Sequence, residues 1–351
     1  SDMDKQTNKP LYIVTGATDA MGSVVTQNLA EAGHAIVMAC FDTEKSDAKA
    51  KELAIRTRNK DITSMHLDLG SFASVRCFAN QIKALNRPVA VLVNNANYIS
   101  HRSEISPDGY EKLVQVNFLS TALLSLLIRP LMIEGGRIIF STSLSHTPVS
   151  IPYEFPAVSN FMPIAAYAQS KMALSLFSIY LSTVLRTQHV AVNSVDSGLV
   201  NLSKLGMNRF FNRFSFISNH TGNLENGAKA MMRAIGSTDT GFIFKSGNKQ
   251  IKASSLMRNR EVFIKLCNDT MRVLKKHAES EFSAENGAAY TAVMLHTVEQ
   301  ISPEIYENYR ELLDDFRSAV KRMLEQYYDA KENKFAMDAT SEKVFCDAVQ
   351  K

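Results

Sequence analysis

The chain has 351 residues and a mass of 39.0 kDa, too long for a minimal single domain and sufficient for one large α/β domain with an appendage. Apolar residues make up 45% and charged residues 21%, and the mean hydropathy is −0.11, which excludes both an intrinsically disordered chain and a bundle of membrane helices. The net charge of +4 hides an asymmetry: residues 1–277 carry 31 Lys and Arg against 20 Asp and Glu, whereas residues 278–351 carry 8 against 15.

Residues 1–10 are polar with no apolar run; they are expected to form a disordered tail without a secretory signal, and Ser1-Asp2 ahead of Met3 reads as a cloning remnant. Strand-length apolar runs then alternate with helical patterns. Strand Leu11–Thr15 leads to a helix over Val24–Ala32. Strands follow at Ala35–Cys40 and Thr63–Leu67, then a helix at Ser71–Leu85, a strand at Val89–Asn94 and a helix at Asp108–Ile133. The second half continues with strand Arg137–Ser141, helix Ala165–Arg186, strand Val190–Val195, helix Glu225–Ile235 and strand Gly241–Phe244. Val- and Ile-rich strands alternating with helices predict a doubly wound α/β class, a parallel sheet covered on both faces. The apolar stretch Phe118–Ile133 is broken by Arg129-Pro130 and falls short of the ~20 residues a bilayer span needs, so it reads as a buried helix.

Two segments interrupt this rhythm. Leu144–Ile164 contains Pro148, Pro152, Pro156 and Pro163 and is expected to be a long loop. Leu202–Asn223 carries the aromatic, basic run Arg209-Phe210-Phe211-Asn212-Arg213-Phe214, read as a substrate lid or a membrane-surface contact. Both follow strands on the side where open α/β sheets bind ligands. From Ala278 the pattern is helical only. Ser302-Pro303 forms an N-cap with Pro at the first helical position, and Ile305, Tyr309, Leu312, Phe316, Val320, Met323 and Tyr327 follow at spacings of three and four. The expected organisation is a dinucleotide-binding catalytic domain over 11–277 and an acidic helical extension over 278–351, packed on the body or used for association. Cys40, Cys77, Cys267 and Cys346 lack C-x-x-C or zinc spacing, so no metal site is expected, and reduced thiols suit a cytoplasmic protein.

The first strand runs directly into Thr15-Gly16-Ala17-Thr18-Asp19-Ala20-Met21-Gly22. A residue without a side chain lets backbone approach a pyrophosphate, and the following helix directs N–H groups and positive dipole at it. Gly16 and Gly22 meet that need, although a tight strand-to-helix connection would explain them too. The second strand ends at Ala39-Cys40-Phe41-Asp42, where this fold meets an adenosine ribose. Asp68-Leu69 follows the third strand, where the carboxylate either binds an adenine amino group or caps the next helix. Asn94-Asn95-Ala96-Asn97 closes the fourth with small or polar residues that can line a cleft.

Tyr167-Ala168-Gln169-Ser170-Lys171 places a phenol and an ammonium at i and i+4 on one helix face. A phenol with pKa ~10 is a poor proton donor or acceptor at neutral pH, and a nearby cation brings it toward the working range. Ser143 is the candidate second donor to a substrate oxygen, and the amide of Asn117 is expected to bridge Lys171 to a water chain. Taken singly, these residues read equally as an ordinary helix-surface pair.

Together, TGATDAMG, Asp68, NNAN, Asn117, STS ending at Ser143, YAQSK and VNSVDSGLV, in that order over residues 11–275, resemble the short-chain dehydrogenase/reductase family. RIIFSTS with its Pro-containing insert, and TGFIFKSGNKQ, are similar to the retinol dehydrogenase and protochlorophyllide reductase branch. The resemblance implies a Rossmann sheet and hydride transfer between NAD or NADP and an alcohol or carbonyl carbon. It assigns Tyr167 as general acid/base, Lys171 as its activator and ribose ligand, Ser143 as polarising donor and Asn117 as relay support. It assigns cofactor contacts to Thr15, Gly16, Asp19, Met21, Gly22, Phe41, Asp68, Leu69, Asn95, Ala96, Tyr167, Lys171, Gly198 and Val200. A homo-oligomer through the two long helices is the family expectation; no nucleic-acid partner and no membrane span are expected.

The chain departs from the family pattern at Ala20, Asn97, Ser197 and Leu202. An apolar insert and lid favour a lipophilic alcohol or ketone. The alternative carried with it is a catalytically weakened nucleotide-binding protein whose C-terminal helices recruit a partner. A sugar-nucleotide epimerase fits less well, since its turn would want glycine at Asp19. The choice of NAD or NADP stays open: no acid stands at the tip of the second strand, and Phe41 occupies the place of an arginine for a 2′-phosphate. Asp19 would repel that phosphate, whereas Lys45 could reach it.

Overall fold

The computed structural model describes residues 9–100, 102–142, 163–196 and 224–253, together with Lys265, Leu266, Asp269, Thr270, Val273 and Leu274. The strands are β1 (Leu11–Thr15), β2 (Ala35–Cys40), β3 (Ile62–His66), β4 (Val89–Asn94), β5 (Met132–Thr142), β6 (Ala191–Asp196), β7 (Phe242–Lys245) and β8 (Lys249–Lys252). They form one sheet in the order β3-β2-β1-β4-β5-β6-β7-β8. Every neighbouring pair is parallel except β7 and β8. The helices are α1 (Ala20–Glu31), α2 (Thr43–Thr57), α3 (Phe72–Ala84), α4 (Lys112–Leu131), α5 (Pro163–Val184) and α6 (Leu224–Gly236).

The sequence dictates this arrangement through two-sided burial. AIVMAC of β2 and VAVLVN of β4 are buried at every residue, as parallel strands between two helical layers must be. Alternate side chains feed different cores. Ile13, Val37 and Leu92 join Phe72, Phe78, Phe118 and Phe177 beneath α3, α4 and α5. Val14, Met38 and Val93 join Val25, Leu29, Leu53 and Met231 beneath α1, α2 and α6.

Two elements are additions to the expected list. In α2, TEKSDAKAKELAIRT, only Ser46, Ala50 and Leu53 are buried, so it has too few apolar residues to show a helical stripe. The edge strand β8, KQIK, is exposed at every position, which removes the alternation that marks a half-buried strand. The expected loop also ends earlier than its prolines suggest: α5 starts at Pro163, since a helix's first turn has no use for that missing N–H. The remainder of the Pro-containing insert, the Arg209–Phe214 run and the helical extension lie outside the described residues.

By length and composition α4 could cross a membrane, but 83% of its apolar window is buried inside the fold, which makes it a core helix. Every residue from Leu113 to Ile128 is buried, as is every residue of α5 from Ser170 to Ser182. Leu266 and Leu274 belong to the same apolar cluster as these helices.

Candidate active site

Strand β1 pairs with β2 on one side and β4 on the other, so the connections leave β1 in opposite directions and a crevice opens beyond the strand ends. A cleft of about 580 Å³ occupies it, lined by Gly16, Thr18 and Asp19 after β1, Phe41 and Asp42 after β2, Asp68 and Leu69 after β3, and Ala96, Asn97 and Tyr98 after β4. That volume is of the size a small-molecule cofactor needs.

The turn after β1 is fixed by glycine. Gly16 has φ +60°, and its N–H donates to the Ala39 carbonyl at 3.0 Å. At Gly22 a Cβ would lie 2.1 Å from the Gly16 oxygen and 2.6 Å from Asn95 Nδ2, so α1 approaches the turn at a distance only glycine permits. Thr15 Oγ1 accepts the N–H groups of Asn95 and Ala96, each at 3.0 Å, and Asn95 Nδ2 donates to the Gly16 carbonyl at 3.1 Å. Among the expected cofactor contacts, Gly16, Asp19, Phe41, Asp68, Leu69 and Ala96 line the cleft, while Thr15, Gly22 and Asn95 stand behind Gly16 and Ala96 and hold them in place. Met21 is buried, its side chain packed in the core between the sheet and α1. Ala20 is exposed at the start of α1, and Asn97 is exposed on the cleft wall.

The Asp68 carboxylate accepts the Gly70 N–H at 2.7 Å, while Ser71 caps α3 by accepting the Ser74 N–H. Asp68 is therefore a turn former on the cleft wall and not the helix cap.

Beside the cleft, Ala166 and Tyr167 of α5 form a small apolar cluster with Leu113, against which Tyr98 of the cleft wall packs. Tyr167 and Lys171 are 4% and 2% exposed, and Lys171 Nζ sits 5.8 Å from the centre of the Tyr167 ring. Both side chains thus share one face. Lys171 Nζ donates to the Ser141 carbonyl at 3.2 Å, which ties α5 to the end of β5. Burial lowers the Lys171 ammonium to about 8.

Asn117 lies in a π-turn, Gln115–Leu119, inside α4. Its Nδ2 donates to the Tyr98 carbonyl at 2.8 Å, and its Oδ1 accepts the Tyr98 N–H at 2.7 Å. Nδ2 also approaches Ser170 Oγ at 3.4 Å. Both amide atoms bond the chain leaving β4, and the contact of Asn117 with α5 is to Ser170, the neighbour of Lys171. The π-turn is what carries Asn117 to that position. Ser143, Gly198 and Val200 lie outside the described residues; β5 is followed to Thr142, whose Oγ1 donates to the Val195 carbonyl at 3.2 Å.

Sequence reasoning missed the wall supplied by the segment between β4 and α4. Tyr98 Oη donates to Glu104 at 3.0 Å, Lys112 Nζ pairs with the same carboxylate at 3.2 Å, and Ile105 stands 68% exposed at the rim. The one local signal was Tyr98 immediately after NNAN, an aromatic residue where a cleft wall begins. Burial, followed by the Glu104 hydrogen bond, raises the Tyr98 phenol above its ordinary value.

A short chain dehydrogenase family model matches residues 11–212. The chain is 34% identical over 197 residues to polyprenol dehydrogenase of Mus musculus, covering 54% of this chain and 59% of that protein. It is 36% identical over 191 residues to retinol dehydrogenase 13 of Homo sapiens, covering 53% and 58%. The chain thus spans less than two thirds of the length of these relatives. Among solved structures, an uncharacterized protein from Mycobacterium Paratuberculosis aligns with a TM-score of 0.59 at 21% identity, covering 79% of this chain and 98% of that one. A metagenomic short-chain oxidoreductase in complex with NADP aligns with a TM-score of 0.51 at 23% identity, covering 68% and 96%. At those identities the likeness concerns the fold.

Proposed function

The chain belongs to the short chain dehydrogenase family, and from that premise we propose that it is an NAD(P)-dependent oxidoreductase acting on an apolar alcohol or ketone. The observation that carries this reading is the buried Tyr167–Lys171 pair, one helical turn apart on α5, with Tyr98 of the cleft wall packed against the cluster that holds Tyr167. The residues present fit a dinucleotide: the cleft has the required volume, and the tight glycine turn brings the start of α1, whose dipole favours an anion, to the crevice.

When bound, the nicotinamide supplies the carbon that carries the hydride. The chain's own residues govern the proton. Tyr167 gives a proton to the substrate oxygen during reduction and removes it during oxidation, as a general acid or base. Lys171 favours the phenolate through its charge, and an ammonium near 8 is still mostly protonated at neutral pH. Ser143 hydrogen-bonds the same oxygen. Asn117 is a positioning residue, holding the chain beyond β4 against α5 through Tyr98 and Ser170.

The names of the matched relatives, a polyprenol and a retinol dehydrogenase, support a lipophilic substrate class, as does the apolar insert and the Phe-rich run Arg209–Phe214. The test is turnover with NADH or NADPH across isoprenoid alcohols, retinoids, steroids and aryl ketones. Absence of turnover across that panel, with tight cofactor binding retained, would replace the enzyme reading with the nucleotide-binding interaction protein. A homo-oligomer and a cytoplasmic location accompany the proposal. Light scattering and cell fractionation test them, and because α4 and much of α5 are buried within the chain, an oligomer would use another surface.

A further inference from the structure

We propose that Tyr98 is a positioning residue for the reaction, holding Tyr167 in place beside the cleft, and that Glu104, steadied by Lys112, is the clamp that fixes Tyr98. This rests on the oxidoreductase reading above. Among the described residues, Tyr98 is the one that both lines the cleft and packs against the cluster of Leu113, Ala166 and Tyr167. Its backbone is fixed from one side, where the N–H and the carbonyl both bond the Asn117 amide, at 2.7 and 2.8 Å. Its phenol is fixed from the other, donating to Glu104 Oε1 at 3.0 Å. A ring held at both ends cannot swing away from that cluster without losing the Glu104 bond.

The clamp is built by the chain folding back on itself. The Lys112 N–H donates to the Glu104 carbonyl at 2.7 Å, the Ser106 N–H donates to the Tyr110 carbonyl at 2.8 Å, and Ile105 and Glu111 form an antiparallel bridge. Glu111 is buried and accepts the Val114 N–H at 3.0 Å, which anchors the returning chain to the start of α4. The Glu104 carboxylate is thereby set between Tyr98 and Lys112. One oxygen serves the phenol and the other receives Lys112 Nζ at 3.2 Å, while that ammonium stands 5.0 Å from the centre of the Tyr98 ring, so the three side chains close a triangle. An exposed ion pair adds little to stability by itself, and its consequence here is geometric. The two phenols also stand in opposite electrostatic settings. Burial and the Glu104 bond raise Tyr98 above its ordinary value, whereas Tyr167 has an ammonium beside its ring. Tyr98 therefore stays a donor to Glu104 while Tyr167 exchanges its proton.

The test uses the full chain and two readouts. One is amide hydrogen exchange along α5; the other is kcat and KM for a substrate of the panel above, with kcat counted per dinucleotide site found by calorimetry with NADH or NADPH. Tyr98→Ala is expected to speed exchange at residues 166–170 about tenfold or more while leaving α1 as in the parent chain. It should also lower kcat per site about tenfold, with KM changed by less. Glu104→Ala should show a weaker form of both effects, and Glu104→Gln should recover most of that loss, because its amide oxygen still accepts the phenol. Unchanged exchange at residues 166–170 in Tyr98→Ala overturns the inference. So does a fall in the number of dinucleotide sites with kcat per site unmoved, the mark of a merely structural role. Failure of Glu104→Gln to recover what Glu104→Ala loses overturns the assignment of the clamp. Absence of turnover by the unmodified chain overturns the oxidoreductase reading and this inference with it, a failure distinct from the others because it precedes any substitution.

Discussion

At the nucleotide end of the site the chain is held by short-range backbone contacts, whereas the reacting end carries a buried charge. Around Gly16 and Gly22 one hydroxyl, Thr15 Oγ1, serves two N–H groups, and Asn95 serves the Gly16 carbonyl. Along α5, Lys171 is buried as a cation and, among the described residues, donates to the Ser141 carbonyl. Asn117 requires a π-turn to reach its place. The difference teaches that the two ends answer to different demands. Binding a pyrophosphate needs close backbone approach, which satisfied hydrogen bonds and small residues supply. Proton transfer by a phenol needs a cation beside it, and burying that cation opposes folding.

Removing the reacting hydroxyl should break this contrast most completely. Tyr167→Phe is expected to lower turnover about 10²–10⁴-fold while dinucleotide affinity by calorimetry stays nearly constant. Lys171→Met should also abolish most turnover, yet it should raise stability, because it replaces a buried cation with an apolar side chain of similar length. The ammonium falls from an ordinary 10.5 to about 8 in the folded chain. Below pH 8 folded and unfolded chains are both protonated, and the cost of burial is fully present. Between about 8 and 10.5 the folded chain has already released the proton, so the cofactor-free protein should gain up to about 3 kcal/mol as pH rises through that window. Urea unfolding from pH 7 to 10 measures it, and Lys171→Met should show no such gain.

The nucleotide end was largely legible in the sequence and the reacting end only in part. β1, β2 and β4 coincide with their expected limits because strands buried on both faces are continuous apolar runs bounded by polar turns. The turn Thr15–Gly22 was legible for the same reason that it works: two glycines at positions where a side chain would collide. Asn117 was found as a residue but not as a contact, since nothing in QVNFL announces a π-turn that aims its amide at Tyr98. The Glu104–Lys112 wall was missed because it depends on a loop folding back across the cleft, and an ion pair eight residues apart outside a helix has no periodic signature. Helix α2 was missed because its surface is charged and only Ser46, Ala50 and Leu53 are buried.

Smaller effects sharpen the comparison from the nucleotide side. Gly22→Ala inserts a methyl 2.1 Å from the Gly16 oxygen, a backbone atom that cannot yield without displacing the turn. Overpacking of this kind costs about 1–3 kcal/mol, and dinucleotide affinity should fall at least tenfold because the displaced residue, Gly16, lines the cleft. Conversely, retained affinity would mean that α1 can retreat and that the close approach serves packing alone.

Thr15→Val is the finest probe, since it keeps the shape of a buried side chain that is 1% exposed while deleting the oxygen that receives the Asn95 and Ala96 N–H groups. The expected loss is about 1–3 kcal/mol in chemical denaturation, because two donors at the end of β4 lose their acceptor where water has poor access. The contrast lies in what else changes. Ala96 lines the cleft and Asn95 holds Gly16, so dinucleotide affinity should weaken, while the pH dependence of stability assigned to Lys171 should remain as in the parent chain. If Thr15→Val instead altered that pH dependence, the two ends would be one coupled network, and the backbone-built floor could no longer be treated apart from the charge buried beneath α5.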